Sequence, residues 1–177
     1  MYSNPVFTIG HSTRELDIFL HLLQAYGVDC LVDVRTIPRS LHNPQFNKET
    51  LPEFLKAVGI DYKHMAGLGG LRHALPDSPN GAWRNKSFRG FADYMQTPDF
   101  NQNLQALIDL SQQVRVALMC AEAVPWRCHR SMIADALVSR GIVVEHIMSA
   151  TNCHKHTLTA FALVNGKTIT YPEQVGT

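Results

Sequence analysis

The feature that most constrains the fold is an alternation of two periods. Five short apolar runs recur along the chain: Val6–Ile9, Cys30–Arg35, Ile60–Met65, Val114–Met119 and Ile142–Met148. Their length and aliphatic content suit buried strands. Between them lie apolar residues at helical spacing. One set is Leu16, Phe19, Leu20 and Leu23, and a second is Leu51, Phe54, Leu55 and Val58. Phe88, Phe91 and Met95 mark a short helix, Phe100, Leu104, Leu107 and Ile108 a longer one, and Met132, Ile133, Ala136 and Leu137 the last. Strands alternating with helices predict a parallel sheet covered on both faces. The expected fold is α/β: a three-layer α/β/α arrangement with a mostly parallel sheet of about five strands. Phe161–Val164, Asn165-Gly166 and Thr168–Tyr171 add a C-terminal β-hairpin, with Asn165-Gly166 as a type I′ turn. The length of 177 residues suits one hydrophobic core and is short for an eight-stranded barrel, so residues 1–177 are read as a single domain.

Local signals place the boundaries. Ser12-Thr13-Arg14-Glu15 has capping-box spacing, with Ser12 as N-cap, and Thr50 with Glu53 repeats it. Thr97-Pro98 reads as an N-cap followed by Pro at the first helical position. Gly27, Gly59 and Gly141 suit helix ends. The long stretch Ala66–Lys86, rich in Gly and Pro, is expected to be a lid or binding loop. Within it, Trp83 is either a stacking face or an anchor to the core.

A net charge of +1 provides no global field that would draw the chain to nucleic acid, although a local basic site is compatible with it. No apolar run approaches the roughly 20 residues of a membrane span. Met-Tyr-Ser-Asn-Pro lacks the basic and apolar regions of a secretory signal, and four irregularly spaced cysteines do not form a disulfide framework. A reducing cytoplasm is the expected location.

Chemistry-bearing residues collect where strands are expected to end. Met119-Cys120-Ala121-Glu122-Ala123-Val124-Pro125-Trp126-Arg127-Cys128-His129-Arg130 joins an apolar strand to a helix. Pro125 has no N–H to donate and ends strand pairing. In open α/β sheets this edge is where ligands bind, and a helix N-terminus suits an anion. The first strand contributes Gly10, His11 and Ser12 there; the second contributes Asp33 and Arg35, with Arg39 nearby. Asp33 and Arg35 share a strand face, which fits either a mutual ion pair or a pair at the ligand edge.

Three chemistries are compatible with this set. In the first, Arg35, Arg39 and Arg130 bind phosphate or carboxylate, with Glu122 or Asp33 as general acid or base. Gly10, Ser12, Gly69, Gly70 and His129 join the ligand-binding set, and His11 the acid–base or orienting set. In the second, a cysteine is the nucleophile. Cys128, at a helix start beside His129 and Arg130, is placed for a lowered pKa. Cys120 resembles the cysteine of phosphatase and sulfurtransferase loops. Six residues separate it from Arg127, however, where the phosphatase signature has five. In the third, Cys120, Cys128 and His129 hold a metal with Cys153, His154 or His156, although the spacing is not that of a standard zinc module.

Taken together, Thr8-Ile9-Gly10-His11-Ser12, Asp33-Val34-Arg35 with Pro38 and Ser40, Leu68-Gly69-Gly70, and Met119-Cys120-Ala121-Glu122 with Pro125, Cys128, His129 and Arg130 resemble the family catalogued as domain of unknown function 488. The resemblance spans nearly the whole chain. It departs at Leu41, where many relatives carry an arginine after the Pro-x-Ser position. It implies a small soluble α/β domain and reinforces these motif residues without assigning a reaction. The expectation is an enzyme acting on a phosphate-bearing ligand, a nucleotide or nucleic-acid component. A non-catalytic anion- or nucleic-acid-binding module and a Cys/His metal-binding protein are the alternatives. The sequence names no cofactor and no protein partner.

Overall fold

The structure, a computed structural model, describes residues 4–174. Its strands are β1 (Val6–Gly10), β2 (Cys30–Asp33), β3 (Asp61–His64), β4 (Val116–Cys120), β5 (Val144–Ile147) and β6 (Cys153–Lys155), joined in one sheet of order β3-β2-β4-β1-β5-β6. β1 to β5 are parallel and β6 is antiparallel to β5. A separate antiparallel pair, β7 (Leu163–Asn165) and β8 (Thr168–Thr170), forms the hairpin near the C-terminus. Five helices accompany the sheet: α1 (Leu16–Ala25), α2 (Leu51–Ala57), α3 (Lys86–Tyr94), α4 (Pro98–Gln113) and α5 (Arg130–Val138). The mixed α/β sheet and the hairpin agree with the sequence reading.

The period of two along each strand divides the core into two clusters. Val6, Val32, Val34, Val116, Leu118 and Val144 face α3, α4 and α5, including Phe91, Leu104 and Ile133. Phe7, Ile9, Leu31, Ala117, Met119 and Ile147 face α1 and α2, including Phe19, Leu23 and Leu55. β1 and β4 are buried along their whole length, because helices cover them on both faces and neighbouring strands flank them. No helix among the described residues is long and apolar enough to cross a membrane.

Several local expectations are corrected. Ser12 does not cap α1. The backbone after β1 stays in the ladder, with His11 N–H donating to Cys120 O and Ser12 N–H to Ala121 O, both at 2.9 Å. Ser12 then takes a left-handed conformation, φ 47°, rare outside glycine. The helix starts only after Glu15, which makes no side-chain cap. Thr50 does precede α2, but its hydroxyl donates to Pro44 O and Asn47 O instead of capping. Asn85 and Thr97 are true side-chain caps of α3 and α4. The hairpin turn is Gly166-Lys167, since Asn165 pairs with Thr168. Only Gly166 has positive φ (63°), which fits glycine first in a II′ turn instead of the expected I′. β6 has no counterpart in the sequence reading.

The Ala66–Lys86 stretch is tethered, not lid-like. Asp93 of α3 accepts from Leu75 N–H, Ser78 Oγ–H and Asn80 Nδ2–H at 2.5–2.8 Å. Trp83 is an anchor, packed against Phe88, Phe161 and Tyr171 with ring centroids 4.9–5.4 Å apart.

Gly10 holds the crossing point of the two central connections. A Cβ there would lie 1.8 Å from Glu122 O, a backbone atom that cannot give way cheaply. Gly10→Ala is expected to destabilise the fold by about 3 kcal/mol or more. Urea unfolding checks this, and an unchanged midpoint would show that the loop after β4 yields freely.

Candidate active site

The connection after β1 runs through α1 to β2, beyond β4. The connection after β4 runs through α5 to β5, beyond β1. The two connections therefore diverge at adjacent C-terminal strand ends, where Gly10 and Cys120 are register partners. This is the topological switch point at which open α/β sheets hold ligands. A short 3₁₀ turn, Pro125–Arg127, carries the chain from β4 to α5.

Arg130 lies at the base of this crevice and is fully buried. Its Nη1 donates to Cys120 Sγ at 2.6 Å and also to Glu122 O; Nη2 donates to Ala123 O at 3.1 Å and Nε to Thr8 Oγ1 at 3.2 Å. It therefore orients the thiol and the loop and does not reach the opening, which corrects the expectation of an anion-binding arginine. Cys120 also receives a contact from the Cys128 thiol, with the sulfurs 2.6 Å apart. Burial alone would raise the Cys120 pKa. The Cys128 hydrogen bond and the Arg130 charge outweigh it and bring the thiol down to about 7. Cys128 moves the opposite way. Its hydrogen bond to Cys120 and its own burial hold it well above the ordinary thiol range. The activated thiol is thus Cys120, not the cysteine at the helix start.

Behind Arg130 runs a chain of buried polar groups. Thr8 Oγ1 is 2.5 Å from His146 Nδ1, His146 Nε2 is 2.8 Å from His156 Nδ1, and His156 Nε2 is 2.8 Å from Asp135 Oδ1. Arginine only donates and a carboxylate only accepts, so the two ends fix every proton for neutral imidazoles: Arg130 to Thr8 to His146 to His156 to Asp135. Burial, followed by the neighbouring His156 and Arg130, lowers His146 to about 3 and keeps it neutral. Asp135 also accepts from Tyr171 and Thr159 hydroxyls at 2.7 Å. The sequence reading missed Thr8, His146 and Asp135 as site residues and offered His156 only as a metal ligand. A threonine in a central apolar strand and an aspartate in the apolar run of α5 were the available signals.

Asp33 and Arg35 form the mutual ion pair. Arg35 Nη2 and Nε donate to the carboxylate at 2.7 and 2.9 Å, and Tyr62 Oη donates to it at 2.5 Å. Arg35 Nη2 also donates to Phe46 O. Asp33 is fully buried and saturated, which removes it as an acid–base group at the opening. His11 stacks on Phe46 at 4.6 Å. Its Nδ1 donates to Ser12 O, which leaves Nε2 to accept from Arg35 Nη1 at 3.4 Å. Burial lowers the His11 pKa, so it supports Arg35 as a neutral ring.

Above these groups opens a cavity of about 290 Å³. Cys120, Glu122, Cys128, His129, Gly70, Arg35 and Arg39 line it, joined by Thr36, Arg127 and an apolar wall of Ile37, Leu71 and Phe88. Gly10, Ser12, Gly69, His11, Asp33 and Arg130 lie outside the lining. Arg39 is exposed and donates to Glu49 at 2.8 Å. The glycine pair permits close packing, not a phosphate cradle: a Cβ on Gly70 would meet the His129 ring at 2.6 Å, and one on Gly69 would meet Thr36 at 2.4 Å. His129 Nε2 lies 2.9 Å from Val34 O and 3.0 Å from Leu68 O, so it carries the proton and Nδ1 is an acceptor. Burial lowers this imidazole to about 4. Leu41 is 98% exposed, away from the cavity floor. A larger cavity of about 690 Å³, beside Arg84 and Glu173, contains no thiol or imidazole.

The metal alternative does not assemble. Among the described residues, no three His, Cys, Asp or Glu side chains converge to hold an ion. Cys153 and His154 lie on β6, and His156 is occupied by Asp135 and His146.

The pH dependence of Cys120 follows from this geometry. A lowered thiol pKa means thiolate at lower pH, so iodoacetamide alkylation of Cys120 should reach half its maximal rate near pH 7. Thr8→Val removes an Arg130 partner and is expected to move that midpoint upward by about half a unit or more. An unmoved midpoint in a folded variant would show that Arg130 holds its position without the chain.

No curated protein and no solved structure matches the chain. Residues 15–137 match the family described as Domain of unknown function DUF488, and the match runs from the start of α1 through the thiol pair to nearly the end of α5. The chain therefore belongs to that family, whose description assigns no reaction.

Proposed function

We propose that the chain is an enzyme that uses the Cys120 thiolate on a small phosphate-bearing ligand, a nucleotide or nucleic-acid component. The observation that carries this reading is a thiol lowered to about 7 at the floor of a cavity edged by Arg35, Arg39 and Arg127. Thiolate, not thiol, is the nucleophilic form. Arg39 and Arg127 are exposed beside the opening, where a charged head group retains part of its hydration. Ile37, Leu71 and Phe88 offer an apolar wall to an uncharged or planar portion of the same ligand. Glu122 lines the cavity with its carboxylate exposed, in a position to serve as general acid or base. The buried Arg130 prepays the orientation of the attacking sulfur.

A panel of nucleoside and sugar phosphates tests this reading. A member that is turned over should also slow Cys120 alkylation. Its turnover should fall at least about 10³-fold in Cys120→Ser. Arg127→Ala should weaken binding about tenfold or more, the loss of one charge-assisted hydrogen bond. Protection without turnover would favour a binding module. Neither protection nor turnover across the panel would remove the anion reading.

A further inference from the structure

The proposed reaction needs one thiol, but the cavity holds two in contact. Cys120 ends β4 and Cys128 precedes α5, eight residues later, yet the 3₁₀ turn between them returns the chain so that the sulfurs meet. Their protons are already sorted. Cys128 donates toward Cys120, which Arg130 holds as the anion. His129 Nδ1, left without a proton by the two carbonyls at Nε2, lies 3.5 Å from Cys128 Sγ. The Cys128 thiol therefore faces two acceptors, the Cys120 sulfur and this ring nitrogen. Both cysteines line the same cavity yet are buried, at 2% and 6% exposure, so a reagent meets them from that cavity. Cys30 and Cys153 share none of this. Burial raises each to about 11, and neither lines the cavity.

We infer that Cys120 and Cys128 are a redox couple in which Cys120 reduces a small hydroperoxide and Cys128 closes a disulfide onto it. This rests on the reading of Cys120 as the reactive thiolate. The Cys120 sulfur attacks the terminal peroxide oxygen, the O–O bond breaks, and the departing alkoxide leaves as the alcohol after taking a proton from solvent. Cys120 is now a sulfenic acid. Cys128 attacks the Cys120 sulfur as its own proton passes to the departing oxygen; the S–O bond breaks and that oxygen leaves as water. One hydroperoxide and two thiols yield one alcohol, one water and one disulfide. An external dithiol then restores the couple by exchange, itself becoming a disulfide.

The test uses the full chain, freshly reduced and freed of reductant, treated with one equivalent of hydrogen peroxide. Intact mass should fall by two hydrogens, and peptide mapping should place a disulfide between Cys120 and Cys128, with Cys30 and Cys153 still alkylatable. Cys128→Ser should instead stop at a Cys120 sulfenic acid, captured by dimedone. Conversion of wild-type Cys120 to sulfinic acid with Cys128 still a free thiol, or four thiols persisting, would overturn the inference. Iodoacetamide on the same reduced sample separates the two readings. Cys120 alkylated at pH 7 at least about tenfold faster than Cys30, without disulfide formation, would sink the redox couple alone. An unreactive Cys120 would sink both it and the nucleophile reading.

Discussion

The fully buried guanidinium of Arg130 is the constraint on which the site depends. A charge removed from water costs several kcal/mol unless its surroundings replace the hydration shell. Here the replacement comes from two separate strands and a loop: Thr8 of β1, Cys120 of β4, and the carbonyls of Glu122 and Ala123. Each of those groups is thereby fixed relative to the others. The same requirement accounts for the direction of the Cys120 shift, because a thiolate is the only partner present that also balances the charge. Stabilisation of the buried cation and activation of the thiol are one interaction seen from its two ends.

A second buried pair does analogous work at the neighbouring strand end. Asp33 and Arg35 saturate each other, and Tyr62 and Phe46 O take the remaining valences. His11 bridges this group toward β1 through Arg35. The cavity floor is thus held by buried pairs, of which Cys120 and Arg35 line it, while Glu122, Arg39 and Arg127 sit around it on exposed connections. The division suits a site in which positioning is rigid and ligand contact is adaptable.

How much of this was legible in the sequence follows from where the information resides. The strands and helices were readable because β1, β2, β4 and β5 bury nearly every residue and the helices bury a stripe, so hydropathy reports position directly. β6 was not, because Cys-His-Lys is three residues long, polar and mostly exposed on an edge. The capping box at Ser12 failed for a tertiary reason: backbone pairing with Ala121 held residues 11 and 12 in the sheet, and no local pattern encodes that. Convergence of the thiol motif with His11 and Arg35 was inferable from strand direction alone. Which cysteine is activated was not. It depends on Arg130 curling back one turn to meet the strand end instead of pointing outward from the helix start, as its place in sequence suggests. The partners of that curl, Thr8, His146 and Asp135, lie more than 100 residues apart along the chain at the extremes.

The fixed sense of the hydrogen-bond chain from Arg130 to Asp135 has a consequence for how protons move. A Grotthuss-type shuttle requires that each member be able to pass a proton on and then reverse. Arginine does not release its proton, and the carboxylate end is saturated by His156, Thr159 and Tyr171. The chain is therefore closed to proton traffic at both ends, although it is made of the side chains from which proton wires are usually built. It transmits geometry and electric field to Cys120 while isolating that sulfur from the solvent behind the sheet. Every proton that enters or leaves the thiol must pass through the cavity side, across Cys128, His129 or the ligand itself.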